Sequence, residues 1–270
     1  MFLTDKLCYL DLHRTGSVRL MKMLKIKMPD GQIINNHGRA RHEIINSDRL
    51  FIGSIRNPWD WYVSVWSKGC DGKGFPYNRH TKKIFFSNLG FKINPIYAPV
   101  LFFSQIFKPI RKWKELYSDN KSKKNFKIWL NMILKERIYD EGAEYGLSSI
   151  KDKCGLYTFR YLSLFSKSTN FLFQKNKSLS YEDIKNIDDK NNLVKIFITT
   201  ENLLPDFKKA LNKINISLEK NESDFFSKMK KINLSNNREI KEYYYDQETI
   251  KLIEQYDRFI IEKHNYVYNN

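Results

Sequence analysis

Cysteine is scarce in this chain, and metal-ligand patterns are missing. The 270 residues include three cysteines, Cys8, Cys70 and Cys154, and these form no Cys-x-x-Cys pair. An odd number of thiols cannot all pair within one chain, so a reducing compartment, the cytoplasm, is expected. The five histidines show no ligand spacing with cysteines or carboxylates, so no metal site is expected.

Long apolar runs and flexible linkers are also missing. The N-terminus lacks a basic segment followed by an apolar stretch and a small-residue cleavage site, so no signal peptide is expected. The most apolar internal stretch, Ile93 to Ile110, contains three prolines and several polar residues, which makes it a poor membrane span. No Gly/Ser-rich or Pro-rich linker interrupts the chain, so we predict a single domain over residues 1–270.

Acidic residues are outnumbered by basic ones, 30 against 47, which gives a formal net charge of +17. Polyanionic or phosphorylated partners explain such a charge, and so does a compositional bias that favours Lys, Asn and Ile together. A basic nucleic-acid-binding protein is one alternative. However, no RNA- or DNA-binding motif is recognisable and the lysines are spread along the chain, so no nucleic-acid partner is expected.

The first strand and the turn after it are the most informative feature present. An apolar run, Leu7 to Leu12, leads into the cationic turn His13 to Val18, and a helix is predicted over Ser17 to Lys27. Backbone N–H groups at such a turn point at an anion, and Gly16 permits close approach. The nucleoside-triphosphate motif GxxxxGK[ST] is absent. The turn predicts a phosphate or sulfate site, with an ordinary structural turn as the alternative.

A second strand, turn and helix repeats this arrangement. Arg49 to Ile55 has the pattern of a buried parallel strand, and Pro58 sits at the start of the helix that follows. Arg56 ends the strand and Ser64 lies about two turns into the helix, so both are predicted to approach one anion. The alternative is an arginine capped by carboxylates such as Asp60.

Hydrophobic spacing supplies the remaining elements. A further strand is predicted over Leu193 to Thr199 and a helix over Gln247 to Lys263, with a short strand as one interpretation of Asn170 to Gln174. The economical fold is α/β, a central, mostly parallel sheet flanked by helices. An irregular insertion at about residues 69–124 is predicted to shape an acceptor site.

Five segments resemble one family, in that family's order. HRTGSV (13–18) resembles the 5′-phosphosulfate loop PKTGTT of sulfotransferases that use 3′-phosphoadenosine-5′-phosphosulfate, and RNPWDWYVSVW (56–66) is similar to their 3′-phosphate signature RNPxxRxxSxY. NNHGRARHEI (35–44) resembles the loop KHxxAxEI of the glycan-modifying branch. ITTENLLPDF (198–207) and the tail 243–266 resemble further segments of that branch.

The resemblance implies a P-loop NTPase-like sulfotransferase fold and an in-line transfer of a sulfuryl group from that donor to an acceptor hydroxyl. A carbohydrate acceptor is favoured, while lipids, small alcohols and tyrosyl groups stay open. The oligomeric state is not specified. The implied donor-binding residues are Arg14, Thr15, Gly16, Ser17, Val18, Arg56 and Ser64.

His37 is the candidate catalytic base, because it matches the histidine of KHxxAxEI and imidazole titrates near neutral pH. His42, about one helical turn along, is the alternative, and Glu43 is a third choice. Arg14 stands where the family usually has a catalytic Lys. Arginine cannot act as an acid near neutral pH, but it can stabilise charge on the bridging oxygen.

Two departures from the family pattern concern the donor site. Val18 replaces the second Thr of the loop, and the RKG triplet that clamps the 3′-phosphate in the cytosolic branch is absent. Asn233, Ser235 or Arg238 are candidates to replace that triplet. A non-catalytic relative that only binds a nucleotide or a glycan therefore remains an alternative.

Overall fold

The computed structural model describes residues 1–35, 37–83, 103, 106–136, 143–146, 148–174, 179–229 and 238–268. Its contacts divide the chain into two compact units. The first unit comprises Met1–Asn57, Arg160–Thr169 and Asn186–Leu234, and the second comprises Pro58–Phe159, Asn170–Lys185 and Ser235–Asn270. The single domain expected from the sequence remains a prediction.

The first unit holds the sheet and the helices that cover it. Its elements are β1 (Phe2–Leu3), β2 (Leu7–Leu10), α1 (Ser17–Lys27), β3 (Gln32–Ile33), α2 (His42–Ile45), β4 (Leu50–Ile55), β5 (Ile196–Thr199), α10 (Leu203–Asn212) and α11 (Lys220–Lys228). Two more helices, α8 (Leu156–Phe165) and α9 (Tyr181–Asn191), have one end in each unit.

The regular elements described in the second unit are all helices. It contains α3 (Pro58–Cys70), α4 (Phe75–Thr81), α5 (Ile110–Leu116), α6 (Lys123–Asn131), a π-helix (Met132–Glu136), α7 (Ala143–Gly146), a 3₁₀-helix (Asn170–Phe173), α12 (Lys241–Tyr244), α13 (Gln247–Tyr256) and α14 (Arg258–Lys263). The described part of the predicted insertion contains the helices α4 and α5 as well as turns, and its residues 84–102 and 104–105 lie outside the described part. Across the described ranges of both units, no helix is long and apolar enough to cross a membrane.

The five strands form one sheet in the order β3-β1-β2-β4-β5. β2 pairs with β4 and β4 with β5, both in parallel, whereas β1 pairs antiparallel with β2 and with β3. The α/β class predicted from the sequence is confirmed. The expectation of a mostly parallel sheet is wrong, because the two-residue strands β1 and β3 add an antiparallel edge and make the sheet mixed.

Helices cover both faces of this sheet. One face presents Leu7, Ile52 and Ile198 to a buried core shared with α1, α10 and α11. On the other face Phe197 packs against Tyr161 and Phe165 of α8, with ring centroids 5.5 and 5.4 Å apart. Alternation along each strand therefore buries both faces, as a three-layer α/β arrangement requires.

Aromatic side chains dominate the core of the second unit. Trp66 of α3 meets Phe126 of α6 and Tyr244 of α12, with centroid distances of 5.3 and 5.4 Å. Trp61 stacks on Tyr157 at 4.6 Å with the planes 12° apart. Such rings each bury a large apolar area and hold the short helices of this unit together.

A buried carboxylate interrupts the C-terminal helical segment. Asp257 lies between α13 and α14, where its Oδ2 accepts a hydrogen bond from the Tyr62 hydroxyl at 2.6 Å. Its Oδ1 accepts from the Thr158 amide and hydroxyl at 2.9 and 2.8 Å. The Tyr256 carbonyl accepts from the Gly155 amide at 2.5 Å. These contacts separate α13 from α14, so the single helix predicted over Gln247 to Lys263 is wrong.

Asp257 also makes the stability of the folded protein depend on pH. Burial, partly offset by the hydrogen bonds from Tyr62 and Thr158, raises the pKa of Asp257 to about 6. The folded state thus binds this proton more tightly than the unfolded state, and the stabilisation is full below pH ~4 and is lost as the pH rises through 6. Between pH 4 and 7, we expect the free energy of unfolding to fall by about 2–3 kcal/mol more in the wild type than in Asp257→Asn. Urea denaturation across that range measures it, and parallel profiles for both proteins would contradict the assignment.

Candidate functional site

Three parallel strands end side by side at one edge of the sheet. Ile55, the last residue of β4, pairs in register with Thr199, the last residue of β5, and Leu10 at the end of β2 pairs with Gly53. The Thr200 amide and hydroxyl both donate to the Ile55 carbonyl, at 2.9 and 3.0 Å. Ligands of open α/β sheets bind beyond the carboxyl ends of such strands.

The loop from His13 to Val18, called the anion loop below, leaves β2 at this edge. Arg14 and Gly16 both have left-handed backbone, with φ of 63° and 75°, and Thr15 between them does not. This alternation turns successive N–H groups toward a common point, the geometry of an anion-binding nest. Gly16 is the N-cap of α1, so the first amides of that helix, which have no intrahelical acceptor, join the same concavity.

Gly16 also lies tightly against the segment that follows β5. A Cβ atom at Gly16 would lie 3.2 Å from Cδ1 of Leu203 and 3.9 Å from Cγ2 of Thr200. A side chain here would therefore be strained both by the left-handed φ and by the Leu203 contact. Backbone conformation and packing therefore both require glycine at this position.

The hydroxyl of Thr15 faces the core. It donates to the Leu12 carbonyl at 2.7 Å and lies 2.6 Å from the Ser54 hydroxyl, which is itself 2.7 Å from the Tyr9 hydroxyl. Since a carbonyl only accepts, the protons run in one direction, from Tyr9 to Ser54 to Thr15 to Leu12. Tyr9, Thr15 and Ser54 are fully buried. Of Thr15, the backbone amide is thus the group left to contact an anion.

Removing the Thr15 hydroxyl tests how much the hydrogen-bonded hydroxyls of Tyr9, Ser54 and Thr15 contribute to stability. We expect Thr15→Val to lower the unfolding free energy by about 1–3 kcal/mol, because Ser54 loses its acceptor in a buried site. Thr15→Ser, which keeps the hydroxyl, is expected to recover most of that loss. Guanidinium denaturation of both variants measures the difference, and equal stability of the two would show that the hydroxyl chain contributes nothing.

Arg56 follows β4 and reaches the anion loop. Its Nη1 lies 3.5 Å from the Arg14 carbonyl, and the next amide, that of Asn57, donates to Oε1 of Glu201 at 2.9 Å. The Arg56 guanidinium therefore lies against the backbone of the anion loop, which itself carries Arg14. Paired arginines beside a nest of amides favour the binding of a phosphate or sulfate over the binding of an apolar ligand.

The other predicted donor-binding residues are placed less uniformly. Ser17 opens α1 and is buried, whereas the Val18 side chain is 36% exposed. Ser64 is buried within α3, in the second unit. Asn233 and Ser235 lie outside the described residues, and Arg238 is half-buried.

His37 is held at two points by Asp11. The His37 amide donates to the Asp11 carboxylate, at 3.0 and 3.1 Å from its two oxygens. The ring Nδ1 lies 2.9 Å both from the Asp11 carbonyl and from Oδ2 of its carboxylate. His13 stacks on the His37 ring with centroids 3.7 Å apart. The candidate base therefore lies directly beside the anion loop, and its backbone is left-handed, with a φ of 57°.

The alternative bases lie on the surface. His42 and Glu43, in α2, are exposed, and the side-chain nitrogen Nδ2 of Asn46 lies 3.0 Å from Nε2 of His42. Arg39, by contrast, donates to carbonyls at the C-terminal end of α8, those of Ser163, Ser166 and Lys167, the last two at 3.0 and 3.3 Å. Burial lowers the pKa of Arg39 to about 10, so it stays a cation and fastens the His37 loop to α8.

Comparisons of this chain with protein-family models, curated proteins and solved structures find no match. Cys8, Cys70 and Cys154 are not joined by disulfide bonds. Among the residues described, no cluster of His, Cys, Asp and Glu side chains is arranged to hold a metal ion. The chemistry of this edge thus rests on two arginines, a nest of amides and the Asp11, His13 and His37 group.

Asp11 is the residue that sequence reasoning missed. It falls inside the apolar run predicted as a strand, where a carboxylate has no place on a buried face unless it is paired. That mismatch was the available signal. What the sequence could not supply was the partner, because His37 lies 26 residues along the chain.

Proposed function

We propose that the protein is a sulfotransferase that moves a sulfuryl group from 3′-phosphoadenosine-5′-phosphosulfate to an acceptor hydroxyl. The observation that carries the proposal is the meeting of the anion loop, Arg56 and His37 at the carboxyl ends of β2 and β4. A donor with two phosphate groups and a sulfuryl group needs cations and amides at more than one point, and an acceptor hydroxyl needs a base beside them.

The residues present fit such a donor. The nest formed by the left-handed backbone of Arg14 and Gly16 offers amide donors of the kind that bind a tetrahedral oxyanion. Arg14 and the first amides of α1 are assigned to the 5′-phosphosulfate, and Arg56 to the 3′-phosphate. The role of Ser64 rests on the sequence resemblance alone. The P-loop-like sulfotransferase fold and the cytoplasmic location belong to the same proposal.

In the reaction, the acceptor oxygen attacks sulfur and a new O–S bond forms while His37 takes the hydroxyl proton. The bond from sulfur to the bridging oxygen breaks, and its electron pair stays on the departing 5′-phosphate. Arg14 and the amides of Gly16 and Ser17 stabilise the charge that develops there. Because Arg14 keeps its proton, its contribution is electrostatic rather than acidic.

The proposal is tested by incubating the purified chain with labelled donor and a panel of acceptors: polysaccharides, lipids, small alcohols and tyrosyl peptides. Calorimetric titration with 3′-phosphoadenosine-5′-phosphate runs beside it, and adenosine 5′-phosphate, which lacks the 3′-phosphate, is the matched control. We expect tight binding of the first nucleotide, weak binding of the second and transfer to a carbohydrate. Binding without transfer to any acceptor would identify a non-catalytic relative, and absence of nucleotide binding would exclude the proposal.

A further inference from the structure

The buried carboxylate of Asp11 lies at this edge of the sheet and has no role yet in the proposed reaction. Its side chain is 1% exposed, and it follows the last residue of β2. A buried carboxylate is stable only when it is paired and hydrogen-bonded. Here its partners are the amide and ring of His37 and the amino group of Met1.

The contacts of Asp11 define which nitrogen of His37 carries a proton. Both groups within 2.9 Å of Nδ1, the Asp11 carbonyl and its carboxylate, are acceptors only. Nδ1 must therefore be the donor, and in the neutral ring Nε2 keeps its lone pair. The His37 side chain is 30% exposed, so the ring is not sealed inside the protein.

The surrounding charges leave Asp11 ionised and His13 neutral. Burial opposes ionisation of Asp11, but the hydrogen bond and charge of His37, with the Met1 amino group, hold the pKa of Asp11 below its ordinary value. Burial and the charges of His37, Arg160 and Arg14 lower the pKa of His13 well below its ordinary value. His13 therefore packs on His37 as a neutral ring. A proton gained by His37 then lies beside the carboxylate of Asp11.

We propose that Asp11 is a positioning residue that, with His37, forms a carboxylate–imidazole dyad for deprotonating a hydroxyl acceptor. This inference rests on the proposed function. The acceptor O–H bond breaks as its oxygen bonds to sulfur, the proton moves to Nε2 of His37, and the leaving phosphate oxygen keeps the electron pair of the broken S–O bond. Asp11 fixes the tautomer that makes Nε2 the base and stabilises the imidazolium that results.

The tautomer can be measured on the unmodified chain and needs no enzymatic activity. Nitrogen-15 labelling of histidine, with long-range proton–nitrogen correlation, reports which ring nitrogen is protonated. We expect the neutral ring of His37 to be protonated at Nδ1. Protonation at Nε2 instead would overturn the dyad while leaving the proposed function standing.

The second measurement uses Asp11→Asn, which keeps a hydrogen-bond acceptor but removes the charge. We expect kcat to fall by about 10²-fold or more while the affinity for 3′-phosphoadenosine-5′-phosphate stays within about twofold. Asp5→Asn, an exposed aspartate before β2 whose carboxylate lies 3.9 Å from Arg49, is the matched control and should leave both unchanged. Full activity in Asp11→Asn, or equal losses of kcat and nucleotide affinity, would overturn the positioning role.

Discussion

Replacing Arg56 by alanine is expected to weaken binding of 3′-phosphoadenosine-5′-phosphate by about 10- to 100-fold, the effect of losing a charge-assisted hydrogen bond to a phosphate. Arg56 follows the last residue of β4 and lies 3.5 Å from the Arg14 carbonyl, so its loss removes one of the two cations at the anion loop. Calorimetric titration measures the affinity, and thermal shift in the presence of the nucleotide supports it.

Arg49 provides the matched control for that variant. It precedes β4 as Arg56 follows it, and it also donates to a backbone carbonyl, from Nε to Thr4 at 2.7 Å. Arg49→Ala should therefore have a similar effect on folding but leave nucleotide affinity unchanged. Arg56→Lys should recover only part of the affinity, because the lysine ammonium keeps the charge but lacks the planar array of guanidinium N–H donors. Equal nucleotide affinities of Arg56→Ala and wild type would remove Arg56 from the donor site.

His37→Ala is expected to lower kcat by about 10²–10⁴-fold, the usual contribution of a general base. Nucleotide affinity should hardly change, because the donor contacts are assigned to the anion loop and Arg56. Single-turnover transfer from labelled donor separates the chemical step from binding. The separation between kcat and affinity is what distinguishes a base from a residue that shapes the nucleotide site.

His42→Ala tests the competing assignment. His42 is exposed on α2 and contacts Asn46, so its removal should leave turnover unchanged. If His42→Ala loses turnover and His37→Ala does not, the base is His42. If both variants keep full activity, the proton is taken by another group and the dyad with Asp11 fails with it.

Local pattern was enough to place the elements around the anion loop. α1 spans Ser17–Lys27, as the sequence predicts, and β4 begins one residue after the predicted start at Arg49. Both elements are bounded by strong local signals, the glycine at the N-cap of α1 and the Asn-Pro turn after Arg56. The position of the loop between β2 and α1 therefore follows from local sequence alone.

Elements fixed by distant contacts were not predictable in this way. The segment over Asn170 to Gln174 resembled a strand, but it forms a 3₁₀-helix whose Phe171 and Leu172 carbonyls accept from Ser149 at 2.6 and 2.8 Å. β2 stops at Leu10 because Asp11 turns to hold His37. In both cases a hydrogen bond from another part of the chain outweighs the local hydrophobic pattern.

The hydroxyl chain from Tyr9 through Ser54 to Thr15 has a kinetic consequence. Because Ser54 and Thr15 each donate one hydrogen bond and accept another, the core-facing side of the anion loop is held by hydrogen bonds of the protein itself. The proposed nucleotide would then bind a preorganised loop. Ordering of that loop would add little to the entropic cost of association. Association should follow a single diffusional step whose rate rises linearly with nucleotide concentration and shows no plateau from loop closure.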